Sequence, residues 1–180
     1  MRDLSFIGLF VALIAVMAQL SVPLGEVPMT LQTFAIPLAG IVLGPRKGTL
    51  SVVLYLLLGA LGLPVFAGFT GGFGKFVSAT GGFLLTFPFM AWFAGWGADL
   101  TRKSGTKIWL WLGLLVGALV NYAGGTVVFS LISGATVAAA LAVTVVPFIP
   151  GAVIKVIAAA LLGEKLRSLV SDLGSPYPQR

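Results

Sequence analysis

Six apolar runs, each separated from the next by a short polar or Gly/Pro-rich segment, occupy most of this sequence. They cover about residues 4–22, 34–44, 48–62, 78–98, 107–133 and 142–170. A membrane helix needs about 20 apolar residues to cross a bilayer core about 30 Å thick. Only 9% of the residues are charged, far fewer than in a soluble domain. The pattern predicts an all-α integral membrane bundle of six transmembrane helices, forming a single domain over residues 1–180.

Three of the runs allow more than a plain membrane span. The first run follows Arg2 and could be a secretory signal, but the polytopic sequence after it favours a first membrane helix. The second and third runs are short, and the Gly/Pro turn "GPRKG" joins them. We therefore expect two short helices there, in a thin or funnelled part of the bundle.

The basic residues predict the orientation of the bundle. If both termini lie in the cytoplasm, most Lys and Arg residues fall on the cytoplasmic side, as the positive-inside rule requires. Four tryptophans bracket the cationic loop at 99–107, where an interfacial aromatic belt belongs. The net charge of +6 is then an orientation signal and does not indicate a nucleic-acid site. The cytoplasmic cations would be Arg2, Arg46, Lys47, Arg102, Lys103, Lys107, Lys165, Arg167 and Arg180, and the tryptophans are Trp92, Trp96, Trp109 and Trp111.

Missing residue types exclude several function classes. The chain has no Cys and no His, which excludes disulfides, thiolate chemistry, the usual zinc sites and imidazole catalysis. It has no G-x-x-x-x-G-K-[ST] phosphate loop for ATP hydrolysis. No acidic residue lies within a predicted span, since Glu26 is in a loop and Asp99, Glu164 and Asp172 sit at cytoplasmic ends, although ion-coupled carriers usually need one. We expect no metal, no cofactor and no enzymatic activity, and an uptake protein of this kind would take its energy from a partner.

Two lysines, Lys75 and Lys155, fall in the external half of the predicted bundle. Lys155 ends the motif "PFIPGAVIK", about one turn into the sixth helix. A lysine inside a membrane helix is costly, so it either extends toward the headgroups or faces the interior to meet an anion. Lys75 lies in the third loop and is the weaker candidate, because loop lysines are usually just solvated.

The third loop, from Gly62 to Phe83, is rich in Gly and Phe. Glycine lets a backbone approach a ligand closely and directs N–H groups at it, while phenylalanine supplies apolar walls. The alternative is a mobile, weakly packed connection, although long loops in compact domains are usually functional. Candidate ligand-binding residues in this loop are Phe66, Gly68, Thr70, Gly71 and Gly72.

Neutral hydrogen-bonding residues form a second group of candidates. Thr30, Gln32 and Thr33 lie in the first external loop, where they could contact a polar ring of a ligand or merely cap the second helix. Asn121 and Tyr122 lie among small residues of the fifth helix. An interhelical hydrogen bond is as good an explanation for Asn121 as a ligand contact.

Four blocks of the sequence resemble, in order and spacing, those of the BioY family, the biotin-binding S-components of energy-coupling factor transporters. The blocks are "VPMTLQTFAIPLAGIVLGPRKG", "YLLLGALGLPVFAG", "TGGFLLTF" and "PFIPGAVIK", and the resemblance runs from about Leu4 to Leu166. It implies a multi-pass protein of the cell membrane that captures biotin from outside. The implied partners are a transmembrane coupling subunit and two ATPase subunits.

The resemblance also implies roles for individual residues. Lys155 matches the lysine of the last block and would bind the carboxylate of biotin, the transported ligand. Small residues of the first helix, Gly8, Ala12 and Ala15, would pack closely against the coupling subunit. The last block of the family typically has an aspartate where this chain has Ala152, which would share a helical face with Lys155. Gly68 also stands where relatives often have an asparagine.

The loss of that aspartate leaves several interpretations open. The chain could be an engineered variant, a weak binder or a protein with a different ligand. The alternative function is a secondary carrier for another small monocarboxylate, which the missing intramembrane acid disfavours. A membrane enzyme would need a nucleophile, a base or a metal cluster, which we do not find. A structural protein would leave the two external lysines unexplained.

Overall fold

A computed structural model describes residues 2–24 and 27–174 of the chain, and these residues are mostly helical. Six α-helices surround the core, so the predicted all-α fold is confirmed, and one short two-stranded antiparallel hairpin is present in addition. Short 3-10 helices occupy Phe73–Val77 and Val146–Phe148. The helices are α1 (Arg2–Gln19), α2 (Gln32–Ala60), α3 (Gly81–Ser104), α4 (Ile108–Ser133), α5 (Val137–Thr144) and α6 (Ile149–Gly174), and the strands are β1 (Ser21–Leu24) and β2 (Val27–Thr30).

Helix α2 consists of two arms, residues 32–43 and 45–60, that fold back on each other at Gly44. Gly44 has φ +81°, a conformation that favours glycine, and Pro45 begins the second arm. A Cβ atom placed on Gly48 would lie 2.7 Å from the Cα atom of Gly40, whereas these residues would be about 12 Å apart in a continuous helix. The two short helices predicted around "GPRKG" are therefore confirmed, with the second ending at Ala60 instead of residue 62.

Helices α3 and α4 pack against each other through facing glycines. A Cβ atom on Gly97 would lie 2.4 Å from the backbone oxygen of Trp109, and one on Gly113 would lie 2.4 Å from that of Phe93. Helix α3 was predicted at 78–98, but it starts at Gly81 and continues to Ser104. The hydroxyl of Ser78 donates to the backbone oxygen of Lys75 instead, in a turn before the helix. Left-handed glycines follow α3 and α4, at Gly105 and Gly134.

The first helix was predicted to reach residue 22, but α1 ends at Gln19. The next residues form the hairpin, in which Pro23 lies opposite Pro28. Proline has no N–H group to donate, so it cannot continue a helix, but two opposed prolines fit a pair of strand positions that exchange no hydrogen bonds. The two prolines therefore explain why the chain leaves the helix here.

The sixth run was predicted as one helix over 142–170 but contains two helices. Helix α5 ends at Thr144, the 3-10 turn Val146–Phe148 contains Pro147, and α6 begins at Ile149 with Pro150 in its first turn. Proline is unfavourable inside a helix and favourable at its start. The two prolines thus separate α5 from α6 and place Lys155 in the second turn of α6.

Charged residues gather at one end of the bundle, which we call the charged end. Ion pairs there join Lys47 to Asp3 at 2.7 Å and Lys107 to Glu164 at 2.8 Å, and another joins Arg167 to Asp99. The turn at Gly44 lies beside Asp99. The predicted clustering of cations is thus present, although Arg180 and the side chain of Arg2 lie outside what the structure describes. The cytoplasmic placement of this end stays a prediction.

Membrane-spanning potential was assessed by length and composition. In the described residues, three segments meet this criterion: Gln32–Ala60, Ile108–Ser133 and Val137–Val170. Of these, Ile108–Ser133 is one continuous helix, whereas Gln32–Ala60 folds back at Gly44 and Val137–Val170 is broken between α5 and α6. Asp3–Gln19 is a shorter apolar helix. Trp96 stacks on Trp92 and meets Trp109 edge to face near the charged end, as an aromatic belt would. A helical membrane bundle is therefore supported, while the number of six spans stays a prediction.

Candidate functional site

A cavity of about 330 Å³ lies at the opposite end of the bundle, which we call the cavity end. Strand β2, the starts of α2 and α3, and the loop between these helices form one part of its wall. The rest comes from α4, from Thr144 of α5, from Phe148 of the second 3-10 helix and from Lys155 of α6. Its size is that of a small-molecule site. The described lining residues include two lysines, Lys75 and Lys155, and no Asp or Glu.

Lys155 points into the bundle. Only 9% of its surface is exposed, and its Nζ atom donates to the backbone oxygen of Thr30 at 3.0 Å. A snorkelling lysine would extend to the headgroups, so that interpretation is wrong. An ammonium group has three N–H donors, and this is its one hydrogen bond within the described chain. Two donors are therefore available to a ligand in the cavity.

A chain of hydrogen bonds fixes the cavity wall around Thr30. The Thr30 hydroxyl donates to Oε1 of Gln32 at 3.0 Å and accepts from the Gln32 backbone N–H at 3.3 Å. The Gln32 amide donates to the hydroxyl of Tyr55, which donates to the backbone oxygen of Val65 at 3.1 Å. Thr30 therefore holds the start of α2, as a cap would, and also receives Lys155. Thr33 lies beside this chain of bonds and lines the cavity.

Asn121 connects two helices and also faces the cavity. Its Nδ2 atom donates to the backbone oxygen of Phe83 at 3.0 Å and to the hydroxyl of Thr86 at 2.9 Å, both on α3. Its carbonyl oxygen has no hydrogen bond within the described chain and is a free acceptor for a ligand. Tyr122 lies beside it in the lining, with its ring edge to face on Phe83 at 6.4 Å.

The loop between α2 and α3 supplies a folded wall. Phe66 and Thr70 line the cavity and pair through their backbones, with N–O distances of 2.9 and 3.3 Å. The Phe66 ring is buried and packs edge to face on Tyr55 and on Phe76. Lys75 lies in the following 3-10 helix and also lines the cavity. These hydrogen bonds and ring contacts contradict the alternative that the loop is a mobile, weakly packed connection.

Four predicted ligand residues do not line the cavity. Gly68 lies in the exposed turn between Phe66 and Thr70, with φ +69°. Gly71 packs on the backbone of Leu63, and Gly72 donates to the backbone oxygen of Gly59 at 2.7 Å. These three glycines determine the backbone shape of the loop and do not line the cavity. Ala152 lies one turn before Lys155 on α6 and is not among the lining residues.

Sequence reasoning missed several residues that build this end. Phe83, Phe148 and Met29 contribute to the apolar lining of the cavity. Nothing in the apolar runs distinguished Phe83 and Phe148 from core residues, and Met29 lies in the first loop, where only its polar neighbours were considered. Tyr55 and Gln19 could have been found, because each is a polar side chain within an apolar run. The described residues contain no group of three or more His, Cys, Asp or Glu that could hold a metal.

The predicted partner-binding residues of α1 divide between two faces. Gly8 and Ala12 are exposed on the outer face, and no atom lies within 4 Å of a Cβ placed on Gly8. Ala15 is half-buried and packs on the core between α1 and α2. Gly8 and Ala12 are therefore free for a partner, and Ala15 contributes to packing within the bundle.

Comparisons with known proteins give one consistent result. A sequence model of the BioY family matches residues 1–172. The probable biotin transporter BioY of Pyrococcus horikoshii is 42% identical over 92% of this chain and 96% of its own length. The biotin transporter BioY of Thermotoga maritima is 41% identical over 94% of this chain and 98% of its own length. Both relatives carry the names of transporters and not of enzymes.

A solved structure has the same fold. It is the S-component for biotin from an ECF-type ABC transporter, and it superposes with a TM-score of 0.85 at 29% identity. The match covers 93% of this chain and 91% of the other. The helical arrangement described above is thus similar to that of a solved S-component over nearly its whole length.

Proposed function

The chain belongs to the BioY family, and on that basis we propose that it is the biotin-binding subunit of an ATP-driven importer in the cell membrane. The observation that carries the proposal is the cavity with Lys155 in its wall. Biotin has one carboxylate and a neutral ureido ring on an apolar bicycle. A cavity with two lysines, no described acidic residue and an aromatic lining suits a ligand of that kind.

Lys155 is the proposed partner of the ligand carboxylate. Its charge lies in an apolar surrounding and has only the Thr30 carbonyl as a partner within the described chain. A buried charge without a counter-ion is costly, so an anionic ligand would gain from neutralising it. Lys75 adds a second positive charge to the lining and would favour the same ligand.

Neutral groups are left to recognise the ureido ring. The carbonyl oxygen of Asn121 would accept an N–H bond, and the Gln32 amide would donate to the ureido oxygen. Phe66, Tyr122 and Phe83 would pack on the bicycle. With Ala152 in place of an aspartate, the site lacks a charged acceptor, so we expect biotin to bind more weakly than it would to an Ala152→Asp variant.

The transport step requires partners in this proposal. Coupling and ATPase subunits would supply the energy, because the chain has no phosphate loop and no Asp or Glu among the described lining residues of the cavity. The exposed face of α1 around Gly8 and Ala12 is the proposed contact with the coupling subunit, since small residues allow close helix packing in a membrane. Biotin would enter from the external side, where the positive-inside rule places the cavity end.

The proposal is tested by calorimetric titration of the purified protein after removal of any bound biotin. We expect saturable binding that is weakened at least about 100-fold in Lys155→Met, because a buried charge pair is lost. Lys165→Met, at the exposed charged end, is the matched control and should bind like the parent. Ala152→Asp should bind about 10- to 100-fold more tightly, since it adds a charged hydrogen-bond acceptor.

Biotin methyl ester separates the carboxylate from the rest of the ligand. It should bind the parent much more weakly than biotin does, but Lys155→Met should hardly distinguish the two ligands. Parent-like biotin binding by Lys155→Met would remove the proposed role of this lysine. Absence of biotin binding in both the parent and Ala152→Asp would overturn biotin as the ligand.

A further inference from the structure

Gln19, the last residue of α1, ties this helix to a distant part of the cavity wall. Its Nε2 atom donates to the backbone oxygens of Val65 at 3.4 Å and Phe66 at 3.1 Å. Its Oε1 atom accepts from the backbone N–H of Phe69 at 2.8 Å. A fourth bond, from Nε2 to the Ala15 backbone oxygen at 3.2 Å, fixes the amide to its own helix. Gln19 thus uses both ends of its amide on one short segment of the loop.

The segment that Gln19 holds, residues 65–70, contains lining residues of the cavity. Phe66, Ala67 and Thr70 line it, whereas Gln19 does not. Phe69 has φ +54°, a left-handed conformation that is uncommon for a residue other than glycine. Phe69 is 72% exposed, so burial of the ring does not account for this conformation. Phe69 lies in the turn that the backbone pairing of Phe66 with Thr70 closes, and its N–H group is held in this conformation by the bond to Gln19.

The end of α1 is also joined to the other side of the cavity. Leu20 follows Gln19 and accepts a hydrogen bond from the backbone N–H of Leu31 at 3.1 Å. Leu31 lies between β2, which lines the cavity, and α2. A displacement of the end of α1 would therefore act on the hairpin through the chain and on segment 65–70 through Gln19.

We propose that Gln19 is a positioning residue that latches segment 65–70 to α1 and thereby sets how long the ligand is retained. This inference rests on the proposed function, because it assigns the regulation of the same cavity. The exposed face around Gly8 and Ala12 lies on the same helix. A coupling subunit that engages this face and displaces α1 would strain the latch and loosen the wall, so that the ligand is released. The latch acts on retention, and Gln19 makes no contact with the ligand.

The experiment measures two quantities in Gln19→Leu, Gln19→Glu and the parent. The first is amide hydrogen exchange over residues 62–80 without ligand, and the second is the dissociation rate of biotin. In Gln19→Leu we expect about tenfold faster exchange confined to residues 65–70 and about tenfold faster dissociation, with the association rate changed less than about threefold. Gln19→Glu keeps the acceptor for Phe69 but loses both donors, so its effects should be intermediate.

Two further variants separate a latch from a loss of stability. Ser133→Ala removes hydrogen bonds at the end of α4, at the same end of the bundle, and should leave the dissociation rate unchanged. Phe69→Gly allows the left-handed conformation without help. Adding Gln19→Leu to Phe69→Gly should then accelerate dissociation less than it does in the parent, because strain at residue 69 no longer adds to the loss of the bonds to Val65 and Phe66, and no acceleration at all would overturn the latch.

The remaining outcomes decide between this inference and the proposed function. Unchanged exchange and dissociation in Gln19→Leu would overturn the latch, as would a lower melting temperature with unchanged dissociation. If the parent binds no biotin, the proposed function fails and the exchange measurement alone decides. Faster exchange confined to residues 65–70 then supports the latch, and unchanged or uniformly faster exchange overturns it.

Discussion

The charged end and the cavity end of this bundle are built on opposite principles. At the charged end, regular helices approach each other through glycines, and ion pairs join their ends. At the cavity end, a hairpin, two 3-10 helices and a long loop surround an open space, and hydrogen bonds to backbone carbonyls hold them. The charged end also encloses a cavity, of about 300 Å³ beside Ile41, Leu110 and Arg167, so the two ends differ in the contacts that hold them and not in whether they enclose space. Substitutions at the two ends should therefore differ in what they damage.

The largest effect is expected where helices touch without intervening side chains. In Gly40→Ala the new Cβ atom would lie 2.1 Å from the backbone oxygen of Ala91, a distance that the helices must relieve by moving apart. We expect the free energy of unfolding to fall by about 3 kcal/mol or more, at the upper end of overpacking effects. Thermal or denaturant unfolding in detergent measures it.

Gly8→Ala is the matched control for this prediction, since no atom lies near the added Cβ. Its free energy of unfolding should stay unchanged or rise by up to about 1 kcal/mol, because alanine is the better helix former. Equal stabilities of Gly8→Ala and Gly40→Ala would show that the charged end tolerates expansion, and the contrast between the two ends would disappear.

A smaller effect is expected from the ion pairs of the charged end. The Arg167 side chain is only 15% exposed and donates to Asp99 and to the backbone oxygen of Ile41 at 2.9 Å. Arg167→Leu leaves both acceptors without this donor, so we expect a loss of about 2 kcal/mol in the free energy of unfolding.

Lys107→Leu provides the comparison, because Lys107 is paired with Glu164 but is 69% exposed. It should cost less than about 1 kcal/mol, and added salt should reduce the cost further. If Lys107→Leu were as costly as Arg167→Leu, the degree of burial would not determine the strength of these pairs. Neither variant should change the biotin dissociation constant.

The sequence predicted the charged end better than the cavity end, for a physical reason. The turn at Gly44 depends on a local signal, namely a glycine with a left-handed backbone followed by a proline that starts a helix. The hairpin after Gln19 and the break before Ile149 also contain prolines. Pro147 and Pro150 lie inside the apolar run 142–170, so hydropathy alone joined α5 to α6, and Pro23 follows directly on the first run, so its effect on the last turn of α1 was overlooked.

The candidate site divides in the same way. Lys155 and Asn121 were predictable because a charge or an amide in a membrane helix needs a compensating partner. Tyr55 and Gln19 were missed, although each is a polar side chain within an apolar run, and the sequence does not show which backbone groups of residues 65–69 they bind. A backbone carbonyl is present at every residue and leaves no signal in the sequence. Gly71 and Gly72 were assigned to the ligand because a glycine that shapes a loop cannot be distinguished by sequence from one that contacts a ligand.

The smallest effect is expected from removing one buried hydroxyl, that of Tyr55, at the cavity end. Tyr55→Phe removes the hydroxyl that accepts from Gln32 and donates to the backbone oxygen of Val65. That oxygen keeps its bond from Gln19, so only the Gln32 amide loses a partner. We expect a loss of about 1 kcal/mol in the free energy of unfolding, and about threefold weaker biotin binding because Gln32 is less well held.

Tyr122→Phe makes the same chemical change on a hydroxyl that lines the cavity but has no hydrogen bond within the described chain. Its free energy of unfolding should therefore match the parent within about 0.5 kcal/mol, and only ligand binding could respond. If both variants lost stability equally, the Tyr122 hydroxyl would have a structural role as well. If neither did, the bonds around Tyr55 would organise the cavity without stabilising the bundle. Either result would change which tyrosine hydroxyl of the cavity end is assigned to stabilising the fold and which is available to bind the ligand.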